Sequence, residues 1–224
     1  MVKPVIIFLG PSLSHERARR IFAGADYRPP AKKGDLLRLA ADPEVRMVGL
    51  VDGVFLQDYP PTPIEVYQLA RKQGVLLAGA ASLGALRAVE LEKFGMVGIG
   101  RVFQLYRSGR INADDEVAVT FTPEEESYGL QSEAMIDIRY NLYLAYKKSI
   151  ISRQAKMAIA RVAKGIYFPH RNYAHIIEEA KKKHPSLEGE MDLFKGYIAF
   201  NRKSLKEIDA IKLVEYLKER SKAI

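Results

Sequence analysis

The feature that most constrains the fold is a repeated alternation of short apolar runs with longer amphipathic stretches. Three runs, at 4–10, 46–55 and 75–80, are rich in Val, Ile and Leu and contain or precede small turn-forming residues. Their length suits buried strands better than helices. Helical periodicity follows each run, as in SHERARRIFAGA and SLGALRAVELEKFG. This alternation predicts an α/β fold, with a Rossmann-like, parallel-rich sheet and flanking helices.

The rest of the chain carries a different pattern. GRVFQLYRSGRI and DEVAVTFTP indicate two further strands joined by a polar loop. From SEAMIDIRYNLYLAYKKS onward the periodicity is helical and no further strand is expected. We therefore expect an α/β core over residues 1–125 and a helical C-terminal region over 126–224 that packs on the core or extends from it.

Composition narrows the classes of function. The 224 residues are 48% hydrophobic and 28% charged, which is typical of a globular protein. The chain lacks cysteine, which excludes disulfides, cysteine-ligated zinc and a cysteine nucleophile. Its four histidines have no metal-binding spacing, so we expect no metal site, and we expect no cofactor either. The first apolar run is too short for a signal peptide or a membrane span, so we expect a soluble, cytoplasmic protein without a membrane partner.

The net charge of +8 is unevenly distributed. It amounts to +6 over residues 1–112, −5 over 113–150 and +7 over 151–224. Such blocks favour the docking of charged partners, and aromatic residues do not alternate with basic ones as single-strand binding would require. Nucleic acid is therefore not an expected partner. The basic stretch 151–224 is predicted to dock on an acidic protein surface, in a manner that salt weakens.

Small and polar residues stand together where each predicted strand ends. The three ends read Gly10-Pro11-Ser12, Asp52-Gly53 and Ala80-Ala81-Ser82. In open parallel sheets, ligands bind beyond the carboxyl ends of the strands. Two of these ends lead promptly to helices, whose N-terminal amides can hold a negative charge. The sequence therefore predicts a ligand site at this edge of the sheet.

Ser82 is the sharpest catalytic candidate. The pattern Ala80-x-Ser82-x-Gly84 is similar to a nucleophile elbow, in which small neighbours permit a tight turn between a strand and a helix. The amides of Leu83 and Gly84 would then form part of an oxyanion hole. Alternatively, Ser82 is only the N-cap of the helix, although no Glu at position 85 completes a capping box.

The partners of such a serine remain open. His15 follows the first strand and could approach the same edge as a base, whereas the other histidines are expected to face solvent. Arg87 either pairs with Glu90 on its own helix or binds an anionic group near the helix start. The acids at 114–116 are expected to form a solvated turn, unless Asp115 points inward beside an arginine and becomes functional.

Several blocks resemble the TfuA-like proteins in order and spacing. They are FLGPSL, VDGVF, GAASLGALRAVEL, FGMVGIGRVFQLYRSG and DDEVAV, and the resemblance covers roughly residues 5–145. It implies a partnership with YcaO enzymes, ATP-dependent proteins that form thioamides in peptide backbones. In methanogenic archaea, the modified residue is a glycine of methyl-coenzyme M reductase. The role implied is sulfur delivery, by hydrolysis of a thiocarboxylated, ubiquitin-like carrier of the ThiS type to release sulfide.

The matching blocks also suggest site residues. With the candidates above, the expected catalytic residues are Ser82, His15, Asp52 and Asp115, and the expected substrate-binding residues are Ser12, Gly53, Gly84 and Arg87. If Ser82 is only a cap, Asp52 or the acids at 114–116 would activate a water instead.

One position departs from the family pattern. Many relatives carry a histidine two residues before the Glu of the helix that precedes the third strand, and Pro63 stands there in this chain. Either His15 or a carboxylate is then the base, or that histidine is not catalytic.

Two other functions are alternatives to hydrolysis. The first is a non-catalytic adaptor that brings the carrier or the peptide to YcaO. Such a protein would use the same small residues to accept a narrow tail. The second is nucleotide binding, which is weaker because the first strand is followed by neither of the usual glycine-rich phosphate motifs.

Overall fold

The computed structural model describes residues 5–54 and 58–222. Its sheet has five strands, all parallel, in the order β2-β1-β3-β4-β5. The strands are β1 Val5–Phe8, β2 Asp26–Arg28, β3 Met47–Leu50, β4 Leu76–Ala80 and β5 Val97–Ile99. The first three strands expected from sequence are the adjacent central ones, β1, β3 and β4, which confirms a Rossmann-like α/β fold, whereas β2 and β5 were not expected.

Ten α-helices complete the described part of the chain. Those up to α5 alternate with the strands, as the sequence predicts, and two of them begin with a side-chain cap. Ser14 accepts the amide of Arg17 at the start of α1, and Thr62 accepts that of Glu65 at the start of α3. The helices are α1 His15–Ile21, α2 Asp35–Ala41, α3 Pro63–Ala70, α4 Leu83–Leu91, α5 Gly100–Arg107, α6 Met135–Lys147, α7 Arg153–Gly165, α8 Tyr173–Lys183, α9 Glu188–Asn201 and α10 Leu205–Ser221.

The chain divides into two compact units. So far as the structure describes them, the first unit comprises Met1–Asp114, Thr122–Gly129 and Leu205–Ile224, and the second Asp115–Phe121 and Leu130–Ser204. This grouping differs from a single boundary at residue 125, because α10 belongs to the unit that holds the sheet.

Helix α10 covers the centre of the sheet in the first unit. A Cβ at Gly49 of β3 would lie 2.7 Å from a methyl of Leu217 and 2.8 Å from one of Leu213. Both leucines are fully buried in a cluster with Ile7 and Ala78 of the sheet. The glycine therefore leaves the room that α10 needs to pack directly on the strands.

The prediction of two strands after residue 99 is wrong. Residues 100–107 form α5, in which Val102, Phe103 and Tyr106 are buried at helical spacing. The Asp209 carboxylate of α10 accepts the Val102 amide at 2.7 Å and so anchors the first turn of α5. Beyond it, Phe121 makes only an isolated antiparallel bridge with Leu130.

The second unit has a helical core of its own. Helices α6 to α9 pack around a buried apolar cluster that includes Ile138, Leu142, Ile159 and Phe194. Within the described residues, no helix combines the length and the apolar character needed to cross a membrane.

Candidate functional site

A buried carboxylate joins two of the predicted strand ends in the first unit. Asp52, just after β3, accepts the amides of Gly10 and Ser12 at 2.9 and 3.0 Å through Oδ2. Its Oδ1 accepts the Ser12 hydroxyl at 2.6 Å. Asp52 is only 1% exposed. The structure thus brings Asp52 and Ser12 together, in contacts that fix the loop after β1.

The turn after β4 has an unusual backbone. Ala81 has a φ of +64°, and the Ser82 amide donates to the Ala80 carbonyl at 2.8 Å. A hydrogen bond across a single residue of positive φ defines the rare, strained form of the γ-turn. Such strain at a residue other than glycine persists only where the surrounding structure imposes it. The expected tight turn at Ser82 is therefore present.

The Ser82 hydroxyl does not cap α4. Its backbone carbonyl accepts the amide of Ala85, as an N-cap residue does, but the side chain makes no cap hydrogen bond. Among the described residues, that hydroxyl has no hydrogen-bond partner. Ser82 is 9% exposed, so it sits close beneath the surface. Its side chain is thus placed on a strained turn without a structural hydrogen bond.

Gly84 is explained by packing. A Cβ there would lie 1.7 Å from the Leu50 carbonyl oxygen, because α4 approaches β3 with no intervening side chain. The Gly84 amide donates to the Val51 carbonyl at 3.1 Å. This amide is therefore engaged, and of the two expected oxyanion donors only the Leu83 amide lacks an acceptor within the described part of the chain.

Gly53 has a similar explanation. A Cβ on it would lie 2.1 Å from a methyl of Leu83, and its backbone forms a bridge with Ala31. The small residue permits the start of α4 to pack against the end of β3. Its position at the predicted edge is as expected, but the contacts seen are with protein.

His15 stands beside aromatic rings. Its Nε2 lies 3.1 Å from the Leu9 carbonyl, which can only accept, so Nε2 carries the proton and Nδ1 is the nitrogen that can act as a base. The ring centroid lies 6.2 Å from that of Tyr27 and 5.9 Å from that of Tyr128. No hydrogen bond between His15 and Ser82 is present among the described residues.

Tyr128 is a site neighbour that the sequence did not single out. It is buried, has a φ of +56°, and lies 3.6 Å from where a Gly10 Cβ would be. Burial, and next the charge of Glu124, raise the pKa of its hydroxyl. The acidic run at 124–126 was the only signal near it, and that run alone gives no sign of a packed tyrosine.

Arg87 makes the pair that its spacing allowed. Its Nη1 donates to both oxygens of Glu90, at 3.0 and 2.8 Å, and its Nε and Nη2 donate to the Pro61 carbonyl. The guanidinium ties α4 to the segment before α3. Its donors are occupied by these protein groups, so the guanidinium is not available to bind an anion.

Asp115 belongs to the second unit and is not in a solvated turn. It pairs with Lys164 and with Arg171, which is 1% exposed. Although burial acts to raise the pKa of Asp115, the hydrogen bonds from Arg171 and Lys164 outweigh it and lower that pKa. Glu116 beside it is held by Arg139 at 2.8 and 2.9 Å. Asp115 thus points to an arginine, and the ion-pair network to which it belongs is typical of one that stabilises structure.

The basic stretch 151–224 is divided between the units. Ion pairs within the second unit hold three of its basic side chains, Lys164, Arg171 and Lys181. Residues from 205 onward belong to the first unit. Docking of this stretch on an acidic partner stays a prediction. Within the described ranges, no group of three or more acidic or histidine side chains could hold a metal ion.

Comparison with known protein families gives a match over the middle of the chain. A family model described as TfuA-like protein matches residues 52–172, which is more than half of the chain and includes the turn at Ser82. A search of curated proteins found no match. Because the family model covers more than half of the chain, and because the motif blocks resemble the same family, the chain belongs to the TfuA-like family.

Proposed function

We propose that this protein hydrolyses a thiocarboxylated carrier of the ThiS type and releases sulfide to a YcaO enzyme that forms backbone thioamides. Family membership supports a role in YcaO-associated thioamidation. The hydrolytic step rests on one observation, the unbonded hydroxyl of Ser82 on a positive-φ turn after a central strand. Strained backbone of this kind is often found at active sites.

The proposed reaction begins at Ser82. Its Oγ attacks the thiocarboxylate carbon, a C–O bond forms, and the negative charge that develops on oxygen faces the Leu83 amide at the start of α4. Collapse of this adduct breaks the C–S bond. Sulfide leaves and takes up the proton that serine has lost, leaving an ester on Ser82. Water then hydrolyses the ester to a carboxylate and restores the serine.

His15 is the proposed base. The protonated Nε2 is occupied by the Leu9 carbonyl, so Nδ1 would accept the proton, either through a water or after the carrier tail has bound. Catalytic hydrogen bonds often tighten only in the complex with substrate. Asp52 contributes by holding Gly10 and Ser12, so that the loop after β1 keeps its shape beside the site.

A second candidate function is the adaptor. It is favoured because no base is hydrogen-bonded to Ser82 among the described residues, and because Arg87 and Asp52 make structural contacts. In this role the edge of the sheet binds the carrier tail, and YcaO or another protein performs the chemistry.

Ser82→Ala separates the two functions. Thiocarboxylated carrier is mixed with the purified protein, and sulfide is assayed with and without YcaO. Hydrolysis predicts a loss of at least about 10²–10³ in rate, with carrier binding retained. The control is Asn172→Ala, which removes a true cap, that of α8 in the second unit, at a cost of about 1 kcal/mol of stability and leaves the rate unchanged. A folded Ser82→Ala protein with full activity would contradict hydrolysis by Ser82, and sulfide release that needs YcaO would favour the adaptor.

A further inference from the structure

Helix α9 of the second unit is apolar on two opposite faces. One face carries Met191, Phe194 and Ile198, which are buried in the helical core. The opposite face carries Leu193, 59% exposed, and Phe200, 91% exposed. A helix that only covers its own core presents polar residues outward. The second apolar face therefore requires an explanation.

The outward face combines large residues with glycines in a fixed order. Gly189, Leu193, Gly196 and Phe200 follow at alternating spacings of four, three and four residues, the pattern of a coiled-coil seam. A Cβ at either glycine would meet no atom within 4 Å, so packing within the chain does not demand a glycine there. Each also weakens the helix relative to alanine. We name these four residues the α9 seam.

The α9 seam is complementary to itself. If a second helix of the same sequence runs antiparallel, with the twofold axis passing between Phe194 and Lys195, Leu193 faces Gly196 of the second copy. In the same arrangement, Phe200 faces Gly189 of that copy. Each large side chain thus meets a gap, which is the condition for knobs-into-holes packing in a symmetric, isologous interface.

The charges along α9 favour the same orientation. Glu188, Glu190 and Asp192 lie in its first half, where Lys181 pairs with Glu188 and Asp192. Lys195 follows in the second half, and Arg202, which pairs with Glu133, and Lys203 come directly after its end. An antiparallel pair places the acidic start of one helix beside the basic end of the other. A parallel pair would place like charges together.

We propose that two copies of this chain associate through the α9 seam, antiparallel and related by a twofold axis. The occupant of the exposed face is then a second copy. This inference uses no residue of the proposed hydrolytic site, so it stands or falls separately from the proposed function.

The mass of the full-length protein in solution tests the proposal. Light scattering after size exclusion should give about twice the monomer mass of 25.2 kDa, and the dimer should dissociate on dilution. Phe200→Asp should give a folded monomer that still unfolds cooperatively, at a melting temperature that no longer depends on protein concentration. The matched control is Met157→Asp on α7, 51% exposed in the same unit, which should stay dimeric. A wild-type monomer at every attainable concentration, or equal effects of both variants, would overturn the proposal.

Gly196→Leu provides a test that does not depend on adding a charge. The new side chain enters open space in the monomer and improves helix propensity, so the monomer should melt at a higher temperature. It also fills the gap that Leu193 of the second copy needs, so the dimer should be lost. A dimer that survives this substitution would contradict the packing.

Cross-linking tests the orientation, since the chain has no cysteine of its own. A mixture of Leu193→Cys and Gly196→Cys proteins should form mixed disulfides faster than either variant alone. Faster cross-linking of each variant with itself would indicate parallel helices and overturn the proposed arrangement.

Discussion

The ends of β3 and β4 lie side by side in the sheet and use their polar residues in opposite ways. At the end of β3, the Asp52 carboxylate is buried and accepts three hydrogen bonds. At the end of β4, the Ser82 hydroxyl makes no hydrogen bond with any described residue, and the backbone before it is strained. The first pattern is that of a group that maintains structure, whereas the second leaves the Ser82 hydroxyl available for the proposed reaction.

Asp52→Ala should have the largest effect on stability. It leaves the amides of Gly10 and Ser12 and the Ser12 hydroxyl without their acceptor in a buried place. We expect a loss of about 4 kcal/mol in the free energy of unfolding, measured by urea denaturation. Asp58→Ala, which removes an exposed carboxylate that accepts the Tyr59 amide and pairs with Lys32, should cost much less. Equal losses would remove the distinction between the two strand ends.

Gly84→Ala should follow in size. The added Cβ meets the backbone of β3 at 1.7 Å, so α4 must move away from the sheet. Overpacking of this kind costs about 3 kcal/mol, and the melting temperature should fall accordingly. Gly165→Ala, at the end of α7 in open space, should change stability by less than about 1 kcal/mol. If Gly84→Ala were as harmless, Gly84 would be there for a reason other than packing.

Glu133 in the second unit is a contrasting buried carboxylate. Burial, aided by the charge of Asp137 and opposed by Arg202, raises its pKa from 4.5 to about 7. Between these values the folded state keeps a proton that the unfolded chain releases, so stability falls as pH rises. Glu133→Gln should remove about 2 kcal/mol of this dependence between pH 5 and 7.5. Parallel stability profiles for the two proteins would contradict the raised pKa.

Ser82→Ala should have the smallest effect on stability. Because the hydroxyl has no cap hydrogen bond, its loss should change the free energy of unfolding by less than about 0.5 kcal/mol. Calorimetry on this variant and on Ser14→Ala measures the difference. A loss as large as that of the true cap at Ser14 would show that the Ser82 hydroxyl has a structural partner after all.

The three central strands, β1, β3 and β4, could be predicted because their signals are local, whereas the three-residue strands β2 and β5 were not expected from the sequence. Buried runs such as 75–80 carry the right length and composition, and turn residues bound them. Helix α5 could not, since the group that anchors its first turn is Asp209, more than a hundred residues later in the chain. A local pattern contains no record of such a contact.

The site shows the same limit. The sequence located a tight turn at Ser82, because small residues before a helix are a local signal. It could not say whether Gly84 serves a ligand or a neighbouring strand, since both require the same absent side chain. Nor could it give the direction of His15, which is set by the Leu9 carbonyl and two aromatic rings.

The packing of α10 on Gly49 has a consequence for biosynthesis. The ribosome makes β3 first, then the whole second unit, and only afterwards the helix that covers the sheet. At about 5–20 residues per second, this delay is roughly 10–30 s. Throughout it, the apolar face around Ile7 and Ala78 lacks its native cover. During this interval the nascent chain therefore exposes an apolar surface of the kind that chaperones bind.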